Sequence, residues 1–383
     1  MPSRNPGKRT SGHLIGAKCL LFPALAVFLI ACRDNPDRFG QISFFESTTA
    51  PQEFLQRAEP EAVGIDRAAL TALVAEAQST HSAALIVIKD GKVISERYFG
   101  APSKQPLRIN SVTKSIVSLA IGQLIADGKI SGLNTPLSKW FPEWNTGPKA
   151  QITLRHILAH TSGLYHEESA EKLYQQPDVL KYARGLPVTD ELGKHFSYSN
   201  EAVALLPAIV LAAAGKPLDM HLRESLFTPL GITDHKWDRD AAGNVMAYGG
   251  LWLHPRDLAR IGQLMAGSGR WEKKQIVPSA WVHACTTPAR ADIQDYGLLW
   301  RLYPGRPGGS GAPAGFGGDG WLGQYLVVYP KQRLVAVRLH SVEYGNDERE
   351  NRKYGFPSFR EMVSALVQPR ADAGNDKFKV EVH

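Results

Sequence analysis

The feature that most constrains this chain is a pair of strand-forming stretches placed near its two ends. "AALIVIKDGKVISERYFG", Ala83–Gly100, is rich in β-branched and apolar residues and is broken by Asp90-Gly91. An Asp-Gly pair between such runs predicts a hairpin, because the turn needs positive φ at its centre. Far downstream, "GQYLVVYP" (Gly323–Pro330) and "RLVAVRLHS" (Arg333–Ser341) flank Lys331-Gln332 and predict a second hairpin. The residues between change period. Ile116, Leu119, Ala120, Ile121, Leu124 and Ile125 recur at helical spacing, and Gly128 ends the run. So broad an apolar face predicts a helix buried on most sides.

Other helical segments fit the same plan. Asp66 is placed to cap a helix carrying Leu70, Leu73, Val74 and Ala77. "LRHILAH" starts at Leu154, and "EAVALLPAIVLAAAG" starts at Glu201. The latter is short and holds Pro207, which favours a core helix over a membrane span. "SFREMVSALV", Ser358–Val367, reads as an amphipathic last helix. Strands at both ends and helices in the middle predict an α/β (α+β) fold. One antiparallel sheet, flanked by helices, is built from the two ends, with a mostly helical inserted lobe. The sheet lobe is expected from about 61–105 and 290–367, and the helical lobe from about 106–289.

The N-terminus has a different character. Arg4, Lys8, Arg9 and Lys18 lead into "CLLFPALAVFLIAC", Cys19–Cys32. A basic start, an apolar run and a small residue before cysteine describe a secretory signal over 1–31. "LIAC" resembles a bacterial lipobox, which implies cleavage before Cys32 and lipid on its thiol. An uncleaved anchor is the alternative, but the run is short and interrupted by Pro23. Residue 33 is Arg rather than Asp. By the lipoprotein sorting pattern this points to an outer membrane facing the periplasm. Residues 32–60 then form a tether, and 368–383 a loose tail. Losing 1–31 lowers the net charge of +7 by 4, to +3. With no basic cluster interleaved with aromatics, nucleic acid is not an expected partner. Cys285 would be the one thiol left, so it is expected to be a buried small hydrophobe.

"RINSVTKS", Arg108–Ser115, holds the first chemical signal. Ser111 lies where the helix begins, where unpaired N–H groups and a positive field are available. Lys114 follows at i+3, on nearly the same face. A neutral lysine there can take the serine proton, provided burial lowers its pKa. S-x-x-K spacing is common by chance, and on spacing alone a capped helix with a snorkelling lysine is the better reading. "HFSYSNEA" adds Tyr198 and Asn200, two apart and so able to face one cleft. A tyrosine can relay a proton, and an asparagine can bond both an amine and a carbonyl.

With "SVTK" and "YSN" on the page, a family resemblance emerges. The chain resembles the serine beta-lactamase-related hydrolases, in particular their class C-like branch with its penicillin-binding-protein-like esterases and amidohydrolases. "ITLRHILAHTSGL" (Ile152–Leu164), "YGGLWLHPRDLARIGQLM" from Tyr248, "DYGLLW" (Asp295–Trp300) and "GWLGQYLVVYP" from Gly320 are similar as well. The resemblance runs from about 61 to 367. It implies that Ser111 is the acylating nucleophile, Lys114 its base or proton shuttle, and Tyr198 a partner in proton transfer. Asn200 matches the asparagine that bonds lysine and substrate. The oxyanion would be held by the backbone N–H groups of Ser111 and Trp321.

The chain departs from the family pattern at its third motif. Where penicillin-recognising members carry Lys-Thr-Gly or His-Thr-Gly, it has Gly318-Asp319-Gly320. The cation for a substrate carboxylate is missing and an acid stands beside the gap. Asp319 is expected either to face the cleft and meet substrate or to point away. Trp252, Trp300 and Trp321 are expected to line an apolar pocket or to pack in the core. His156 and His160, four apart, have half of a zinc-protease spacing, but Ile157 stands where its glutamate belongs. The eight glycines between 305 and 320 lack the lysine and hydroxyl of a phosphate loop. No metal or organic cofactor is expected. The expected activity is hydrolysis of a small ester or short amide. D-Ala-D-Ala carboxypeptidase or beta-lactamase chemistry and a non-catalytic scaffold lipoprotein are the alternatives.

Overall fold

Ser82–Lys89 is buried along nearly its whole length, which marks a strand covered on both faces. In the computed structural model it pairs on one side with Lys92–Tyr98, across the Asp90-Gly91 turn, and on the other with Leu334–His340. The structure describes residues 43–44, 56–99, 105–303, 313–340, 356 and 358–367. The chain divides into two compact units, Met1–Pro36 and Asp37–His383, and every element described here belongs to the second. The signal over 1–31, Cys32, most of the tether and the 368–383 tail lie outside the described residues.

The main sheet is antiparallel and six-stranded. Its order is Lys92–Tyr98, Ser82–Lys89, Leu334–His340, Gln324–Tyr329, Gly315–Gly320, Arg301–Tyr303. The second expected hairpin is thus present as Gln324–Tyr329 and Leu334–His340. The period of two sorts the side chains into two cores. Leu85, Val87, Leu334 and Ala336 pack with Leu73, Phe359 and Val363 from the helices Arg67–Ser79 and Phe359–Ala365. Ile86, Ile88, Val335 and Val337 face the other way, toward Pro255–Ala266 and Val112–Ala126. Asp66 caps its helix as expected, accepting from the Ala68 and Ala69 N–H groups. The result is a mixed α/β fold with antiparallel sheets flanked by helices.

A smaller sheet sets the entry to the site. Leu107–Arg108 pairs with Leu251–Leu253, which also pairs with His235–Trp237. Val112–Ala126 follows at once and is buried from Val112 through Leu124. Its buried polar groups are satisfied: Ser115 donates to the Leu299 carbonyl at 2.7 Å, and Gln123 to those of Ser225 and Ile276. The apolar run from Glu201 is not one helix. It breaks at Leu205, giving Asn200–Val203 and Leu206–Ala214, because Pro207 must sit in a first turn. Among the described residues no single helix is long and apolar enough to cross a membrane.

Candidate active site

Three segments meet at the start of the Val112–Ala126 helix. Asn110 takes a left-handed φ of 47°, and Ser111 is the helix N-cap. One turn on, Lys114 is 1% exposed. Its Nζ donates to Ser111 Oγ at 2.9 Å and to the Tyr248 carbonyl at 2.5 Å. Ser111 itself is half-buried, whereas its partner Lys114 is sealed from solvent. Burial pushes the Lys114 ammonium below the ordinary lysine range, with Tyr198 and Glu201 acting in the opposite sense. An amine held this way can accept a proton from the serine it touches.

Tyr198 is the third member. Its ring centroid lies 4.8 Å from Lys114 Nζ. Behind it stands His160, fully buried, with ring centroids 4.6 Å apart. The His160 Nδ1 accepts from the Ser199 N–H at 3.2 Å, and its carbonyl accepts from the Ser197 N–H at 2.8 Å. Burial, followed by the charges of Lys114, Arg301 and His166, holds this imidazole well below the ordinary histidine range. His160 thus anchors both sides of the tyrosine, Ser199 through its ring and Ser197 through its backbone carbonyl. The zinc-like spacing comes apart: His156 lies in the Leu154–Leu158 helix and bonds Thr153, whereas His160 has a φ of 55° outside it. Among the described residues no cluster suits a metal.

Asn200 opens its short helix and is half-buried, but Ser199 provides the cap, accepting from the Ala202 N–H at 2.9 Å. No described hydrogen bond joins Asn200 to Lys114. The next residue, Glu201, escaped the sequence reading. It is buried, accepts from Ser199 Oγ at 3.3 Å, and acts electrostatically on Lys114. A lone Glu after an Asn offers no signal of burial.

The Gly315–Gly320 strand forms the opposite wall. A Cβ on Gly318 would lie 2.9 Å from Val112 Cγ1, and one on Gly320 would lie 2.7 Å from the Ile109 carbonyl oxygen. Both positions press on the segment that carries Ser111, and only glycine leaves room. Asp319, between them, must then face the other side of the strand. Its Oδ2 is 3.7 Å from Arg360 Nη1 and 3.9 Å from Arg301 Nε. Of the two expectations for Asp319, strand parity favours the one in which it points away from the Ser111 segment. Burial raises its pKa, opposed by the two arginines.

The tryptophans separate as well. Trp252 donates to Asp238 at 2.8 Å and lies under Lys236, and its described contacts do not include Ser111, Lys114 or Tyr198. Trp300 is core, bonded to Ser118 Oγ at 3.0 Å. Trp321 is 43% exposed and follows Gly320 at the mouth of the site. The N–H groups of Ser111 and Trp321 have no backbone carbonyl partner among the described residues. Cys285 is buried beside Ser118, and burial pushes its thiol up to about 12, which keeps it inert.

Comparison with known proteins places the chain in a family. Esterase EstB of Burkholderia gladioli is 29% identical over 171 residues, 39% of this chain and 43% of EstB. N-acetylmuramyl-L-alanine amidase of Bacillus subtilis is 23% identical over 75% of this chain and 84% of the amidase. A solved structure described as "Putative 6-aminohexanoate-dimer hydrolase from Bacillus anthracis" superposes with a TM-score of 0.68 at 20% identity. That match covers 86% of this chain and 93% of the other. The family profile described as Beta-lactamase matches residues 67–355. With that span, the chain belongs to the beta-lactamase family of the serine-hydrolase superfamily.

Proposed function

We propose that this protein hydrolyses a small ester or a short amide through an acyl-enzyme on Ser111. The observation that carries the reading is the buried Lys114 amine, 2.9 Å from Ser111 Oγ. Ser111 Oγ attacks the substrate carbonyl carbon, and its proton passes to Lys114. The carbonyl oxygen becomes an oxyanion, held by the Ser111 and Trp321 N–H groups. Collapse breaks the bond to the alcohol or amine, which leaves with a proton delivered by way of Tyr198. Water then attacks the acyl-enzyme, giving up its proton to the same groups. The carboxylic acid departs and Ser111 regains its hydrogen. Asn200 and Trp321 would border the substrate.

An uncharged acyl part suits the third wall. Gly318 carries no cation, and Asp319 faces away with Arg301 and Arg360. The relatives named above include both ester and amide hydrolases, so both leaving groups belong in the reading. The lipobox-like "LIAC" supports an exported lipoprotein, held by Cys32 at an outer membrane facing the periplasm.

The test is steady-state hydrolysis by the detergent-solubilised full chain. The panel holds p-nitrophenyl acetate and butyrate, nitrocefin, a D-Ala-D-Ala peptide and a short linear oligoamide, with Ser111→Ala as control. Ester or oligoamide turnover that vanishes in Ser111→Ala is the expected result. Rapid nitrocefin or D-Ala-D-Ala turnover would move the substrate to carboxylate-bearing compounds. No turnover and no labelling by a fluorophosphonate would leave a binding protein.

A further inference from the structure

We infer that Asn110 is the positioning residue of the oxyanion site, fixing the spacing of its two N–H donors. This rests on the serine-hydrolase reading above. The Ser111 N–H belongs to the peptide that Asn110 begins. The side chain of the same residue reaches across the cleft floor, and its Nδ2 donates to the Trp321 carbonyl at 2.9 Å. One residue thus holds one donor in its own backbone and the neighbourhood of the other in its amide. Asn110 is 8% exposed, so little water competes for that bond.

The Trp321 side of the bridge is equally constrained. The Gly320 carbonyl accepts from the Gly323 N–H at 3.0 Å, which fixes the peptide carrying the Trp321 N–H. Leu322 has a φ of 64°, a strained value for a branched side chain that must be held by its surroundings. Arg338, at 0% exposure, supplies the hold. Its Nη1 donates to the Leu322 and Gly323 carbonyls at 2.6 and 2.8 Å. It is anchored in turn on Ser82 Oγ and the Thr80 carbonyl, each at 2.7 Å. The turn is clamped to the sheet by Arg338 and to the nucleophile by Asn110. A Cβ on Gly320 would lie 3.2 Å from Asn110 Cβ, so no slack remains between the two segments.

A donor pair of this kind acts where charge develops, on the transition state rather than on bound substrate. Loosening it should change kcat and leave KM. The φ of 47° limits the choice of variants, since a residue with Cβ other than Asn or Asp is strained there. Asn110→Gly keeps the backbone conformation and removes the amide. Asn110→Asp keeps the shape and sets an acceptor against the Trp321 carbonyl.

The experiment measures kcat, KM, inhibition by phenylboronic acid and thermal melting for both variants of the full chain. Fluorophosphonate titration counts competent sites. Asn110→Gly is expected to lose about tenfold to a hundredfold in kcat with KM within about threefold. Phenylboronic acid, which forms a tetrahedral adduct on the serine, should weaken by the same factor. Asn110→Asp should lose at least as much. Unchanged kcat per titrated site and unchanged boronate affinity in both variants, whatever the melting temperature, would overturn the inference. A parent protein that is neither labelled nor inactivated at Ser111 would overturn the serine-hydrolase reading and this inference with it.

Discussion

Among the described residues one lysine and one arginine side chain are fully buried, and they come to opposite ends. Lys114 and Arg338 are both sealed from solvent, and burial lowers both pKa values. Arg338 falls only to about 9, so it stays charged near neutral pH. Lysine starts lower and has a compact head, so the same penalty carries it toward the neutral amine. The arginine's fork spreads its charge over four carbonyl and hydroxyl acceptors, and it fastens a turn. The lysine bonds one carbonyl and one serine and is left ready to move a proton. On the proposed mechanism, equal burial makes one residue structural and the other reactive, by intrinsic basicity and donor geometry.

The sharpest way to break the comparison is Lys114→Arg. A guanidinium cannot deprotonate here, so turnover should fall by at least about a thousandfold, with fluorophosphonate labelling lost alongside. Turnover within tenfold of the parent would end the distinction. Next comes Arg338→Met, which strips partners from buried carbonyls. It should cost about 3–5 kcal/mol in urea denaturation, and Arg338→Lys should recover part of that. A loss under about 1 kcal/mol would mean that the clamp is ornamental.

The pH–rate profile sharpens the lysine side. Activity should rise with pH as Lys114 loses its proton, with a midpoint below the ordinary lysine value of about 10.4. An acid limb at or above that value contradicts a depressed amine. His160 adds a stability effect of known sign. Its folded-state pKa is depressed, so the unfolded chain binds the extra proton. The contribution is complete above about 6.5 and declines as pH falls toward the folded value, by about 1.4 kcal/mol per pH unit. His160→Gln should flatten the urea midpoint over that window. The smallest effect is expected from Asp319→Asn. Because its side chain is turned from Ser111, kcat should stay within about threefold, and a larger loss would return Asp319 to the cleft.

What was legible in the sequence follows the range of the interactions. The Ser111–Lys114 pair lies within one helical turn, and spacing alone put the two side chains together. Both hairpins were legible because strand, turn and strand are neighbours in sequence. Tyr198 could be assigned only through its resemblance to a family, since nothing local marks it. The Asn110–Trp321 bond spans 211 residues and ends on a backbone carbonyl, which no side-chain pattern displays. The same holds for the Tyr248 carbonyl that receives Lys114. Asp319 depended on strand parity, where a step of one residue reverses the face. Packing of Gly318 and Gly320 against Val112 and Ile109 decided that step, and sequence alone left it open.

The pairing of Ser82–Lys89 with Leu334–His340 sets the order in which the molecule can be completed. The strand Ser82–Lys89 thus has its central neighbour about 250 residues further along the chain. Contacts of such long sequence separation slow folding, since a large loop must close before they form. Ser111 and Lys114 emerge first in synthesis, and the wall bearing Gly318–Trp321 and the Arg338 that braces it follow only after about two hundred further residues. Ser111 and Lys114 are therefore expected to belong to an unfinished, non-hydrolysing half until the hairpin of Gln324–Tyr329 and Leu334–His340 docks. A C-terminal truncation upstream of 334 should remove activity entirely rather than by degrees.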